Sequence, residues 1–400
     1  MSEARHPALL PAGLYDLLPP EAAIEAEVTA RLMGVLAAHG YERVDPPLVE
    51  FEETLLSGAG AAMSAETFRM MDPVSHRMIG VRADMTPQVA RIAATRLPHK
   101  PRPLRLSYAG LVLRVKGSQM LPERQVGEVG AVLIGGEGPA ADVVAIAVAG
   151  EALAAVGVPH LSVDLTLPTL VPAVAEAYAI AGERAAALRT ALDRKDVGAV
   201  TQLAGEAGAI LARLVAAAGP AAATRTALDR LDLPERARIE RDRLAAVLDG
   251  LAAAKAAIPG LKVTVDPVEN RGFEYHTGIS FTFFTRAGPE LGPLGELGRG
   301  GRYQAGEAAA PEPATGFTLY TDTILRTLPA PPPRRRVLLP LGADRARAGA
   351  LRAEGWITVA ALRSAADWRQ EARRLECGYV LDGGELRPID PRPVERSGDG

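Results

Sequence analysis

Cysteine is almost missing from this chain of 400 residues. Cys377 stands alone, which excludes an internal disulfide framework and any zinc site built from several thiolates. Aromatic residues are scarce at 4%, so few rings are available for stacking bases, and the core falls to Leu, Val, Ile and Ala. An excess of positive charge is missing too. The 45 Lys and Arg against 48 Asp and Glu give a net charge of −3, a poor match to a long polyanion. No apolar run approaches the roughly 18 residues needed to cross a bilayer, and the first residues lack a secretory pattern. A soluble, cytoplasmic protein is the expectation.

Familiar catalytic formulas are absent. The chain contains no G-x-x-x-x-G-K-[ST], no G-x-S-x-G and no H-E-x-x-H. His6, His39, His76, His99, His160 and His276 are scattered without metal-ligand spacing. Neither a metal nor a cofactor is expected. With 48% hydrophobic and 23% charged residues the chain is ordinary globular material, long enough for two or three units.

What is present follows a readable order. Ile24, Val28, Leu32 and Leu36 recur every fourth residue, one face of a helix that Gly40 would stop. Residues 41–50 read as a strand interrupted by Pro46-Pro47, and 77–92 as strand, polar turn and a helix opening at Thr86-Pro87. Runs 104–114 and 124–135 form an antiparallel hairpin with a long tip. An alanine-rich helix (142–157) and an alternating strand (161–167) follow. Residues 168–259 change to helical periodicity, divided at Gly219-Pro220, and read as a structural insertion. Strand patterns return at 261–268 and 275–285, followed by the glycine-rich GPLGELGRGGRY. The expected layout is a core over 1–326 containing that insertion, a Pro-rich linker at 327–336, and a small βαβαβ unit at 337–390. Arg334, Arg335 and Arg336 read as solvated linker charge.

Three constellations can carry chemistry. Arg82-Ala-Asp84-Met-Thr86 offers a carboxylate and a hydroxyl suited to an α-amino group, although Asp and Thr before a helix serve equally as a cap. Arg114, Lys116, Arg124 and Glu128 share one hairpin, where arginines could grip an anion or stand in solvent. Arg271-Gly-Phe-Glu-Tyr275-His276-Thr-Gly, with the later GRGGRY, joins charge to glycines that let backbone approach a ligand.

In this order the segments resemble the catalytic core of the class II histidyl-tRNA synthetases, and more closely their paralogues, the regulatory subunits of ATP phosphoribosyltransferase. The carrying stretches are PAGLYDLLPPEA, GYERVDPPLVEFEETL (motif 1), VRADMTPQVARI, LSYAGLVLRVKGSQMLPERQVGEVGAVLIGG (motif 2), RGFEYHTG and GRGGRY, spanning about residues 10–326. The resemblance implies an α+β fold: an antiparallel sheet flanked by helices, a helical insertion and a small C-terminal α/β unit. It also implies an amino-acid-like pocket formed by Asp84, Thr86, Arg114, Glu128, Arg271, Tyr275 and His276.

Departures from the synthetase pattern decide the implied function. Arg114 keeps the motif 2 arginine. The acidic residue two places on is Lys116 here, and the segment G-F-x-x-G-x-E-R reads GFTLYTDT, with Thr323 at the arginine and Arg326 three residues late. Each such cation is typically worth ~10²–10³ in rate, so ATP activation is expected to be lost. Val132 replaces a glutamate that reads the imidazole, and His276 replaces the second tyrosine of R-G-L-D-Y-Y-T-G. The expectation is a non-catalytic regulatory chain of histidine biosynthesis. It would dimerise, bind the short-form catalytic subunit and transmit histidine feedback, with histidine a candidate ligand and neither tRNA nor membrane a partner. The alternative is a divergent histidyl-tRNA synthetase or other amino-acid-activating enzyme.

Overall fold

The four-residue repeat of the opening helix is its buried stripe: α1 (Glu21–Ala38) hides Val28, Leu32 and Leu36, and Gly40 follows at φ +79°. A computed structural model of the chain describes residues 10–117, 123–254, 258–269, 276–286, 295–306, 311–329 and 334–389. The chain divides into two units, Met1–Leu328 and Pro329–Gly400.

In the first unit, α1 leads into β1 (Glu42–Arg43), β2 (Val49–Phe51), α2 (Glu52–Leu55), β3 (Phe68–Met71), β4 (Met78–Val81) and α3 (Thr86–Thr95). The long hairpin β5 (Leu104–Leu113) and β6 (Gln125–Ile134) follows, then α4 (Pro139–Ala155) and β7 (Leu161–Thr166). The insertion comprises α5 (Leu170–Ala177), α6 (Gly182–Asp193), α7 (Val197–Ala204), α8 (Gly208–Ala216), the two-residue β8 (Gly219–Pro220), α9 (Ala221–Asp229) and α10 (Glu235–Ala254). The unit closes with β9 (Lys262–Asp266), β10 (Ser280–Thr285), β11 (Gly295–Ala305), β12 (Glu312–Tyr320) and α11 (Thr321–Thr327).

Nine strands make one sheet in the order β1-β5-β6-β12-β11-β10-β7-β9-β8, with helices packed on it, as an α+β fold requires. The sheet is not wholly antiparallel: β1 joins β5, and β9 joins β7, in parallel. Residues 41–50 do not form one strand. The prolines end β1, and the chain re-emerges as β2 in a separate three-stranded sheet, β2-β4-β3, because a proline lacks the N–H that a ladder needs. Strand β10 starts at Ser280, later than periodicity suggested.

Segment Val197–Ala216 is long and apolar enough by composition to span a bilayer, which corrects the expectation that none was. It is interrupted by a 3₁₀ turn at Gly205–Ala207, and Val200, Leu211 and Leu214 are buried in the main core.

The glycine-rich GELGRGGRYQA, expected as an unassigned segment, is strand β11. Its glycines are there for clearance. A Cβ on Gly300 would stand 2.2 Å from the Gly316 carbonyl and 2.6 Å from the Phe281 ring. One on Gly301 would stand 2.3 Å from His276. Low strand propensity is outweighed because only a bare backbone fits between these neighbours.

The second unit holds β13 (Arg336–Leu339), α12 (Arg345–Ala353), β14 (Ile357–Ala360), α13 (Trp368–Arg374), β15 (Tyr379–Asp382) and β16 (Glu385–Pro388). Beyond the expected βαβαβ it gains β16, turned back by Gly383-Gly384 with φ of +57° and +86°, the left-handed pair that a tight hairpin needs.

Replacing Gly300 with Ala should therefore destabilise the first unit by about 1–3 kcal/mol through overpacking. Gly34→Ala, on exposed α1 with nothing within 4 Å, should gain roughly 0.5–1 kcal/mol. Urea unfolding of the two variants checks the contrast.

Candidate functional site

The hairpin β5–β6 and the start of α3 bring three charged groups together. Strand pairing sets Glu128 of β6 opposite Gly110 of β5 and Tyr320 of β12, in the middle of the sheet. Arg114 follows β5, and its Nη2 donates to Glu128 Oε1 at 3.2 Å while its Nε donates to the Ala83 carbonyl at 3.4 Å. The other Glu128 oxygen accepts the Met85 N–H at 3.3 Å. Asp84 turns the chain into α3: its Oδ1 accepts the Thr86 N–H at 2.6 Å. This contact to the N–H two residues on is a local turn; Met85, the N-cap of α3, makes no side-chain cap bond.

Burial dominates the electrostatics. The Glu128 side chain is fully buried. Desolvation, reinforced by Asp84 and only partly offset by Arg114, the Met85 N–H and Arg82, pushes its carboxyl up to about 8. Glu128 holds its proton through neutral pH. Burial alone would lower the Arg114 guanidinium, but Glu128, Tyr320 and Asp84 outweigh it and hold it above its ordinary value. Beside this pair, Thr86 Oγ1 lies 3.1 Å from the Tyr108 hydroxyl, which lies 2.7 Å from Thr318 Oγ1. Tyr108 is fully buried, and its phenol is raised well above 10 by that burial.

Asp84, Thr86 and His276 line one cleft, with Arg299, Tyr303, Tyr320 and the glycines Gly300, Gly301 and Gly316. Its volume is about 40 Å³, room for one or two waters. Val132 is buried on β6 against Gly316 and does not line the cleft.

The end of β12 closes the site. Tyr320 is buried, with Arg114 Cζ 5.7 Å from its ring centroid. Two residues on, Asp322 accepts the Tyr15 hydroxyl at 2.7 Å and the Gly127 N–H at 2.7 Å, tying the N-terminal arm to β6. Thr323 is buried on α11, and its hydroxyl finds no partner among the described residues.

Of the residues singled out from sequence, Asp84, Thr86, Arg114, Glu128 and His276 converge on this region. Arg271 and Tyr275 lie outside the described residues. Arg124 turns away: its backbone N–H and guanidinium bond the Gly13 and Ala12 carbonyls, and it lies over Phe68. Lys116 is exposed. Arg82 is structural, its buried guanidinium bonded to the Pro46 and Leu111 carbonyls at 2.8 Å each. Sequence reasoning passed over Tyr108 and Tyr320. Tyr320 could have been found, since it stands where the G-F-x-x-G-x-E-R pattern has its second glycine. Tyr108 carried no mark beyond a strand aromatic.

Comparisons with known proteins agree with this architecture. The family model described as histidyl-tRNA synthetase matches residues 13–324. The ATP phosphoribosyltransferase regulatory subunit of Rhodospirillum centenum is 57% identical over 386 residues, covering 96% of this chain and 97% of its own. That of Gluconobacter oxydans is 43% identical, covering 97% and 99%. Among solved structures, an ATP phosphoribosyltransferase regulatory subunit/histidyl-tRNA synthetase from Bacillus halodurans superposes with TM-score 0.75 at 23% identity, covering 92% of this chain and 96% of that one. A histidyl-tRNA synthetase from Nostoc reaches 0.76 at 16% identity, covering 94% and 91%. At those identities the two structures bear on fold alone.

A folded-state value near 8 against an ordinary 4.5 means that the folded chain binds the Glu128 proton more tightly than the unfolded chain. The stability this proton confers is complete below the unfolded value and is lost as pH rises through the folded one. We expect a loss on the order of 3 kcal/mol across that window, which Glu128→Gln removes. Urea unfolding of both proteins at about pH 5 and about pH 8.5 checks it; equal losses would count against the linkage.

Proposed function

The chain belongs to the histidyl-tRNA synthetase family, among its ATP phosphoribosyltransferase regulatory subunits, and from this we propose a regulatory subunit that has lost amino-acid activation. It acts in the cytoplasm on the first step of histidine biosynthesis, assembling with the short-form catalytic chain and passing histidine feedback to it. The observation that carries this reading is the packing at the end of β12. Where the synthetase pattern has an arginine, Thr323 is buried, and where it has a glycine, the Tyr320 ring stands beside Arg114. A neutral, buried hydroxyl cannot clamp a triphosphate, and a ring in that place takes up space that a nucleotide would need.

The amino-acid side of the site keeps its chemistry. Asp84 and Glu128 are acceptors suited to a ligand ammonium, and Arg114 is the cation beside them. An ammonium placed there favours the ionised carboxylate, so binding such a ligand draws the proton off Glu128. The cleft of about 40 Å³ must widen to admit histidine, and a pocket that opens for a ligand gives the two states that feedback needs.

Apolar surface supports self-association. Leu48, Met70, Met71, Val74 and Met78 are exposed on and beside the small sheet β2-β4-β3, in and after the motif 1 segment. A second copy covering this face would bury them.

Two outcomes are expected. Co-expression with the short-form catalytic chain should give one larger hetero-oligomer on gel filtration, and the purified chain should show no amino-acid-dependent ATP–pyrophosphate exchange. Separate elution at micromolar concentration, or robust exchange, overturns the reading. Asp84→Asn, which keeps the turn-forming oxygen but removes the charge, should weaken histidine inhibition of the complex about tenfold or more while leaving assembly intact. If inhibition is unchanged in Asp84→Asn and in Arg271→Ala, the effector site lies elsewhere.

A further inference from the structure

The second unit has the topology of a binding fold in miniature. Its sheet runs β14-β13-β15-β16, with β13 parallel to both β14 and β15. The chain leaves β13 through α12 to β14 on one side, then returns through α13 to β15 on the other. Val337 and Leu339 pack with Ala348 and Leu351 of α12, whereas Leu338 and Val380 pack with Ala372 of α13. The two helices therefore cover opposite faces. The order reverses between β13 and β15, and in open α/β sheets such a reversal leaves a crevice at the carboxyl ends of the two strands.

A cavity of about 450 Å³ lies there, within the range of small-molecule sites. Its walls are the turn after β13, the turn after β15 and the start of α13. Topology and cavity are independent observations, and they coincide. We propose that this crevice binds a small molecule with a flat apolar body and one anionic group, a carboxylate or a phosphate.

The lining supplies the chemistry. Half-buried Trp368 and half-exposed Leu341 offer apolar surface to a flat body. Gly342 and Gly383, both at positive φ, bare the backbone at the rim. Asp367 is engaged by the N–H groups of Arg369 and Gln370, and Asp382 is paired with Arg387 at 3.0 Å. Arg369 is left exposed, its guanidinium without a hydrogen-bond or ion-pair partner among the described residues. Those contacts use one oxygen of each carboxylate, so the rim keeps one open acceptor on Asp367 and one on Asp382 beside the unpaired Arg369 fork. The fork suits an oxyanion, and the acceptors suit a hydroxyl or ring N–H of the same ligand.

The chain provides its own reporter. It has two tryptophans, Trp356 and Trp368; Trp356 packs edge-on against Tyr379 and does not line the cavity. In full-length Trp356→Phe, the fluorescence of Trp368 should change saturably on titration with adenosine monophosphate or with phenylacetate, and the probe that binds tells phosphate from carboxylate. Arg369→Ala in that background, a change to an exposed side chain, should weaken binding about tenfold. Should Trp356→Phe fold poorly, calorimetric titration of the unsubstituted chain with the same two anions measures the binding directly. No saturable response to either anion, a response to benzylamine alone, or equal affinity after Arg369→Ala overturns the proposal.

Discussion

A carboxyl group in the middle of a nine-stranded sheet, with no exposed surface of its own, constrains everything around it. Glu128 is held by one N–H from the turn before α3 and one guanidinium from the end of β5. Without those partners the buried carboxyl would cost roughly 1–3 kcal/mol, so the hairpin, the Asp84 turn and Arg114 must arrive in one arrangement. These bonds fix how β5, β6 and the turn before α3 meet in the unliganded chain.

The same region is thinned by glycine and filled by tyrosine. Gly130, Gly300, Gly301 and Gly316 leave no room for a Cβ, and Tyr108, Phe281 and His276 occupy the space they vacate. Tyr320 does the opposite. It adds a ring where the synthetase pattern has a glycine, and that ring is buried beside Arg114 in the wall of the cleft of about 40 Å³. Under the function proposed above, one packing change accounts both for the loss of amino-acid activation and for the pocket that is kept.

Much of this was legible in the chain. The four-residue repeat gave α1, alternation gave β7, and two strand-like runs gave β5 and β6, because such patterns depend on neighbours a few positions away. The carboxylate–hydroxyl pair Asp84 and Thr86 and the missing cation at Thr323 were visible as letters in a pattern. Strand β11 was not legible, since its glycines argue against a strand until Phe281 and His276 are placed over it. Nor was the fate of the hairpin's charges: Arg114 and Arg124 look alike in sequence, yet one meets Glu128 and the other the Ala12 carbonyl.

The amino-acid order alone determined the elements, the family pattern and the side chains available to the site, since helical and strand periodicity and residue chemistry are local properties. Tertiary structure decided which of those side chains meet, how small the cleft between them is, and that Glu128 keeps its proton. Those outcomes depend on desolvation and on neighbours delivered from positions 84, 114, 128, 276 and 320, and no stretch of sequence holds them together before the sheet forms.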